Sequence, residues 1–294
     1  MCETQLEDTY CEAFGAYVAR IVISADTRRW ALEAARSVTG FATSVIGCGV
    51  EAAVERDNRP SPDGRPAVSV LFCGVRQEAL AKAVTTRVGQ CVLTCPTASA
   101  YDGFFGEPGE PFPLGRGLRY FGDGFQMAKV IQGRRFWRVP VMDGEFVVDD
   151  TLTVRPGVAG GNLILLGPPD GLLARVRQVA RAMMGPGVIL PFVGGVVRSG
   201  SKVGSRYSFL TASTNHVFVP ELAHLADNRV PDGCLAYEIV VDGVDEDAVR
   251  ESLQRGVEAA RGRIPYVTAG NYGGKLGRYH FYLRRLADKE AHEA

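Results

Sequence analysis

"YEIVVDGVDEDAVRESLQRGV", residues 237–257, begins with an alternation that puts Tyr237, Ile239 and Val241 on one side of an extended chain. Gly243 ends that pattern. Val249, Leu253, Val257 and Ala260 then recur at spacings of four, four and three, which keeps one helical face apolar. The stretch is therefore a strand, a glycine turn and an amphipathic helix. "VSVLFCGVRQEALAKAVTTRV", residues 68–88, repeats it at an offset of 169 (243 − 74). Gly74 answers Gly243, Val75 answers Val244, and Ala79 answers Ala248. Leu80, Val84, Val88 and Cys91 make the matching stripe.

The flanks extend the repeat. "ARIVISA" (19–25) reads as a strand, followed by a helix in "DTRRWALEAARSVTG". That helix has Asp26 or Thr27 as its cap, Trp30, Ala34 and Val38 inward, and Gly40 as its stop. "FATSVIGCG" follows as a second strand. In the other half, "GGNLILLG", "PPDGLLARVRQVARAMMG" and "GVILPFVGGVV" give the same strand, helix, strand order. The last strand of the second half is expected at "GRYHFYL" (277–283). In the first half it is either "CVLTC" (91–95) or a later segment. Each half thus follows a split β-α-β order, and the fold class expected is α+β with duplicated ferredoxin-like lobes. Residues 101–150 fall outside the repeat: a Gly/Pro loop precedes "RRFWRVPVMDGEFVVDD", a β-hairpin turning at Asp143-Gly144. This is read as an insertion closing the first lobe, which divides the chain into lobes 1–149 and 150–294.

Composition removes several function classes. Apolar residues make up 46% and charged residues 22%, enough for a soluble protein to bury a core. Lys and Arg together number 33, as do Asp and Glu, so no net field recruits nucleic acid or an anionic membrane. The start, "MCETQLEDTYCEAF", lacks the basic and apolar regions of a secretion signal. The most apolar window, "GVILPFVGGVV", is too short for a bilayer and is broken by Pro191. Seven cysteines form an odd count without small-scaffold spacing, which favours reduced thiols and a cytoplasmic location.

The 237–257 strand carries one residue that does not fit. Glu238 points away from the Tyr237 row, between Ala236 and Val240, and its repeat partner is Ser69. A ferredoxin-like unit covers one sheet face with helices, so Glu238 is expected on the other. There it is either a solvated or ion-paired surface group or a functional carboxylate. Other motifs give less. Gly47-Cys48-Gly49 imitates a dinucleotide turn, but "VERDNRPSPDGRP" leaves no room for the helix that must follow. "GVVRSGSKVGS" and "GNYGGKLG" miss the Lys-Ser/Thr register of a phosphate loop, yet each brings a lysine and flexible backbone to one place. Four scattered histidines give no zinc spacing and no partner for a nucleophile, so no metal is expected. Proton chemistry then falls to a carboxylate such as Glu238.

"GFATSVI", "SPDGRP", "GQCVLTCPTASAYD", "YFGDGF", "GVAGGN", "SGSKVGS", "YEIVVDGV" and "AGNYGGKLG" occur in this order. Together they resemble the formylmethanofuran:tetrahydromethanopterin formyltransferase family over nearly the whole chain. The resemblance implies ferredoxin-like lobes in a homo-oligomer, a tetramer. It also implies formyl transfer between tetrahydromethanopterin and a methanofuran-type amine carrier, both as substrates and with no tightly bound cofactor. It assigns the proton-handling role to Glu238. Lys202, Ser205, Asn271 and Lys275 lie in the matching Gly-rich segments and are expected to contact the coenzymes. The neutral charge balance departs from the acidic methanogen members and points to the bacterial branch. There the resemblance implies formaldehyde oxidation to formate, within a formyltransferase/hydrolase complex. A catalytically silent structural subunit and a nicotinamide-dependent oxidoreductase remain as alternatives.

Overall fold

Alternating apolar residues make "ARIVISA" a strand, and it is the end of a longer one, Tyr10–Ser24. The computed structural model describes residues 3–55 and 60–288. Two compact units divide it: Ala16–Gly157, and a second built from the chain up to Gly15 together with Val158 onward.

In the first unit the Tyr10–Ser24 strand leads into helix Arg28–Thr39. Thr27 caps that helix by accepting the Trp30 N–H at 3.3 Å. Ala31, Ala34, Ala35 and Val38 form its buried stripe, while Trp30 in the first turn is exposed. Strands Glu51–Val54 and Ala67–Gly74, helix Gln77–Arg87 and strand Ser99–Asp102 complete the unit. Ala67–Gly74 lies antiparallel between Glu51–Val54 and Tyr10–Ser24, with Val70 opposite both Val54 and Ile21. Ser99–Asp102 pairs with the other edge of Tyr10–Ser24. The spatial order second, third, first, fourth is that of a ferredoxin-like unit.

The second unit repeats it. Strand Thr151–Gly167, helix Leu172–Met183, strands Val188–Ile189 and Leu235–Gly243, helix Glu246–Ala260 and strand Tyr266–Thr268 follow in the same order. Leu235–Gly243 again lies between the second strand and the first, and Tyr266–Thr268 takes the far edge. The two glycines of the repeat have one cause. A Cβ on Gly243 would stand 2.7 Å from the Val249 side chain, and one on Gly74 would stand 3.3 Å from Leu80. In each lobe the glycine lets the following helix settle onto the end of the strand. Each unit has its own core, with Ile21, Val70, Phe72 and Leu80 in one, and Leu163, Ile239, Val241 and Val249 in the other.

Two strand expectations are corrected and one open choice is decided. "FATSVIGCG" is not a strand: Ser44 caps a single helical turn, Val45–Cys48, which Gly49 ends at φ +79°. The strand comes next, at Glu51–Val54, so no helix follows Gly49 to hold a pyrophosphate. "CVLTC" begins inside a π-helical turn, Val88–Val92, that prolongs the preceding helix, and the fourth strand is the later segment Ser99–Asp102. "GRYHFYL" does contain a strand, Tyr279–Tyr282, but it pairs antiparallel with Tyr10–Ala13. The fourth strand of that lobe is the three-residue Tyr266–Thr268. A strand that short carries too little alternation to stand out in sequence.

The insertion is larger than a hairpin. Strands Arg134–Val141 and Gly144–Asp149 turn at Met142-Asp143, one residue earlier than expected, because Val141 pairs with Gly144. A third strand, Met127–Ile131, joins through Gln132-Gly133, both at positive φ as a tight hairpin turn requires. Among the described residues no helix is long and apolar enough to cross a membrane.

Candidate active site

Glu238 stands mid-strand in Leu235–Gly243. Its backbone is held by Val197, which donates to its carbonyl at 2.7 Å and accepts its N–H at 3.0 Å. Tyr237 and Ile239 on either side pack on the core, so Glu238 turns the other way and is half-buried. Among the described residues no side chain or amide bonds to its carboxyl, and no arginine pairs with it. Burial, with nothing to offset it, pushes the carboxyl up to about 7. The ion-paired alternative is therefore absent among the described residues.

Two groups lie within electrostatic reach of it. The Cys11 thiol is pushed up to about 12, chiefly by burial, against the Asn162 N–H that it accepts at 3.0 Å, and then by the charges of Glu238 and Glu12. This is a buried, inert thiol rather than a nucleophile. The Tyr272 phenol is likewise raised, first by burial and then by Glu238 and Glu12, while the Val203 N–H opposes the shift. Tyr272 thus stands within the field of Glu238.

The segment that carries Tyr272 is folded around a carboxylate. Glu12, on the Tyr10–Ser24 strand, is 1% exposed. Its Oε2 accepts the N–H groups of Tyr272 (2.7 Å) and Gly274 (2.9 Å), and its Oε1 those of Leu276 (2.7 Å) and Gly277 (2.5 Å). Burial raises the Glu12 carboxyl, and the four amides more than reverse this, so it sits below the ordinary range. The backbone donors expected to face a ligand are therefore already turned onto an internal anion.

Of the expected contact residues, Lys202 and Ser205 share a cleft of about 940 Å³ with Arg206, Tyr207, His216 and Asp227. Lys202 Nζ lies 2.8 Å from His216 Nδ1, and His216 Nε2 lies 2.7 Å from Asp227 Oδ2. A protonated Lys202 donates to Nδ1 only if the imidazole carries its proton on Nε2, facing Asp227. Ser205 Oγ accepts the Tyr207 N–H at 3.0 Å. Asn271 faces inward: its Nδ2 donates to Thr9 Oγ1 at 3.0 Å and to the Tyr10 carbonyl at 3.3 Å, and its Oδ1 accepts the Gly273 N–H. Lys275 is exposed on the same loop and does not line the cleft. Glu12, Tyr272, His216 and Asp227 escaped the sequence reading. Glu12 had a signal, a carboxylate alternating with Cys11 and Ala13, of the kind that singled out Glu238.

A duplicated ferredoxin-like scaffold with a half-buried carboxyl that has no ion-pair partner among the described residues, beside glycine-rich loops, has the features of a group-transfer enzyme. The formylmethanofuran-tetrahydromethanopterin formyltransferase model matches residues 1–141, and the model of its proximal lobe matches residues 144–286. The chain belongs to this family. It is 48% identical to the formylmethanofuran–tetrahydromethanopterin formyltransferase of Methylobacillus flagellatus, over 96% of this chain and 97% of that one. It also resembles the crystal structure of the formyltransferase/hydrolase complex from Methylorubrum extorquens with methylofuran. The TM-score there is 0.93 at 43% identity, covering 98% of this chain and 100% of that one. The formyltransferase of Methanosarcina barkeri superposes with a TM-score of 0.90 at 40% identity, covering 96% and 98%.

Proposed function

We propose that this protein is an acyltransferase that moves a formyl group between tetrahydromethanopterin and a methanofuran-type amine. The full-length match to named formyltransferases carries the reading, and the state of Glu238 supplies its chemistry. The accepting amine attacks the formyl carbon, the carbonyl oxygen takes up negative charge, and the bond to the donor nitrogen then breaks. One proton must leave the attacking nitrogen and one must reach the departing nitrogen. A carboxyl that titrates near 7 can take the first and return it as the second. Direct transfer needs both coenzymes held together and a donor at the developing oxyanion, so positioning supplies much of the acceleration.

Lys202, Ser205 and Lys275 are assigned to coenzyme contacts, and Asn271 to the shape of the loop that bears Lys275. A homo-oligomer, and assembly into a formyltransferase/hydrolase complex like that of Methylorubrum extorquens, are part of the same proposal. The test is to mix the protein with formylated carrier and either tetrahydromethanopterin or tetrahydrofolate, then follow the formylated pterin. Transfer to tetrahydromethanopterin supports the assignment. No transfer to either, by protein that is folded, makes the chain a silent structural subunit.

A further inference from the structure

A carboxylate 1% exposed, with no arginine, lysine or histidine bonded to it among the described residues, is an expensive way to fill a core. Glu12 is tolerated because four backbone amides converge on it. The reverse dependence matters more. Those amides come from residues 272–277, where Gly273 and Gly274 both hold positive φ (+68° and +71°). Such a left-handed stretch has no strand or helix ladder to fix it, and its bonds to the Glu12 side chain replace one. The strand beneath contributes a further tie, since the Glu12 N–H donates to the Gly270 carbonyl at 3.1 Å. Gly277 is locked to the same spot, because a Cβ there would meet the Ala13 carbonyl at 2.4 Å and Glu12 Cγ at 2.8 Å.

What the loop carries gives this anchor a function. The loop follows strand Tyr266–Thr268, whose Thr268 pairs with Ile164, and Ile164 pairs on its other side with Glu238, so Tyr272 lies within the field of Glu238. We propose that Glu12 is a positioning residue for formyl transfer: its buried carboxylate serves as an internal anion that shapes residues 271–277 and so sets Tyr272 and Lys275 relative to Glu238. Glu12 touches no substrate and acts only through the loop. The inference rests on the formyl-transfer reading of this site.

The test compares Glu12→Gln, Gly277→Ala and the double variant with the unmodified protein. Glutamine keeps the size of the side chain but replaces one acceptor oxygen with a donor, so at least two of the four amides lose their partner. Gly277→Ala leaves the carboxylate in place and pushes the loop off it. Both variants are expected to lower kcat/KM on the order of 10²-fold, the scale of a small misplacement of reacting groups. The double variant should be little worse than either single one, because both changes break one contact. Steady-state kinetics are measured on folded protein well below each melting point, with calorimetric binding of tetrahydromethanopterin alongside. A purely structural Glu12 gives lowered melting points that add in the double variant, with kcat/KM per folded molecule unchanged, and that overturns the inference. Should Glu12→Gln fail to fold, Gly277→Ala alone decides between the two outcomes. Unmodified protein that neither binds tetrahydromethanopterin nor transfers formyl overturns the functional reading itself. Normal transfer by all four proteins overturns only the role of Glu12.

Discussion

Ser69 occupies in the first lobe the place that Glu238 occupies in the second: Ser69 faces Val22 across its ladder, as Glu238 faces Ile164. The two positions have opposite surroundings. Ser69 donates to Glu55 at 2.9 Å, and Glu55 takes both Nε and Nη2 of Arg20 at 2.7 and 2.5 Å, with the arginine and glutamate side chains buried. The first lobe closes its open-face position with an ion pair. The second leaves a carboxyl there without one among the described residues. One duplicated position is closed by an ion pair, and the other holds the carboxyl proposed to carry the proton.

Replacing Glu238 with glutamine keeps shape and polarity and removes the proton carrier. Turnover should fall on the order of 10²-fold or more, the usual contribution of general acid-base catalysis. Coenzyme affinity should change much less, since the loss falls on the transition state. Single-turnover transfer measures this, and near-normal rates in the variant end the catalytic assignment.

The pH dependence of stability follows from the same residue. A folded carboxyl near 7 against an unfolded value of 4.5 binds its proton more tightly when folded. Its stabilising contribution is complete below pH 4.5 and is lost as pH rises through about 7. The melting temperature of Glu238→Gln relative to the unmodified protein should therefore climb between those values and level off above. Thermal scans across that window check it, and a flat difference contradicts the raised value.

Glu55→Ala should do the reverse of Glu238→Gln. It strands the Arg20 guanidinium in the first core, and breaking a buried pair from one side costs about 3–5 kcal/mol. Urea unfolding reads the loss. A cost below about 1 kcal/mol, the scale of an exposed pair, contradicts the buried geometry.

The two turn glycines should differ in tolerance. Gly243→Ala puts its methyl 2.7 Å from the Val249 side chain, and overpacking of this kind costs about 1–3 kcal/mol. Gly74→Ala, 3.3 Å from Leu80, should cost less. Adding Val249→Ala to Gly243→Ala should recover part of the loss, and unfolding of the three variants orders them.

The repeat was legible because strand alternation, a glycine and a helical stripe each have their own period. Glu238 was legible because it broke one of them. The second strand of the first lobe was not, because Ser44 and Gly49 impose a helical turn on residues whose apolar pattern suits a strand equally well. The fourth strand of the second lobe was hidden by the stronger alternation of Tyr279–Tyr282, whose true partner, Tyr10–Ala13, lies more than 260 residues away in the chain. The Lys202–His216–Asp227 chain was beyond reach for a similar reason: its members meet through loops without a fixed spacing. Nor can sequence place four amides of one loop on a carboxylate some 260 residues earlier.

Tyr10–Ala13 pairing with Tyr279–Tyr282, and Gln5–Leu6 lying parallel to Tyr266–Val267, give the order of synthesis a consequence. The unit Ala16–Gly157 has all four strands of its split β-α-β sheet as soon as its own residues leave the ribosome. Residues 3–15 are made before that unit, but strands Tyr266–Thr268 and Tyr279–Tyr282, which pair with them, are made some 260 residues later. Until those strands emerge, the ladders they complete and the four-amide seat of Glu12 are unformed. The lobe that holds Glu238 closes after the unit Ala16–Gly157, by joining residues 5–13 to residues 266–282.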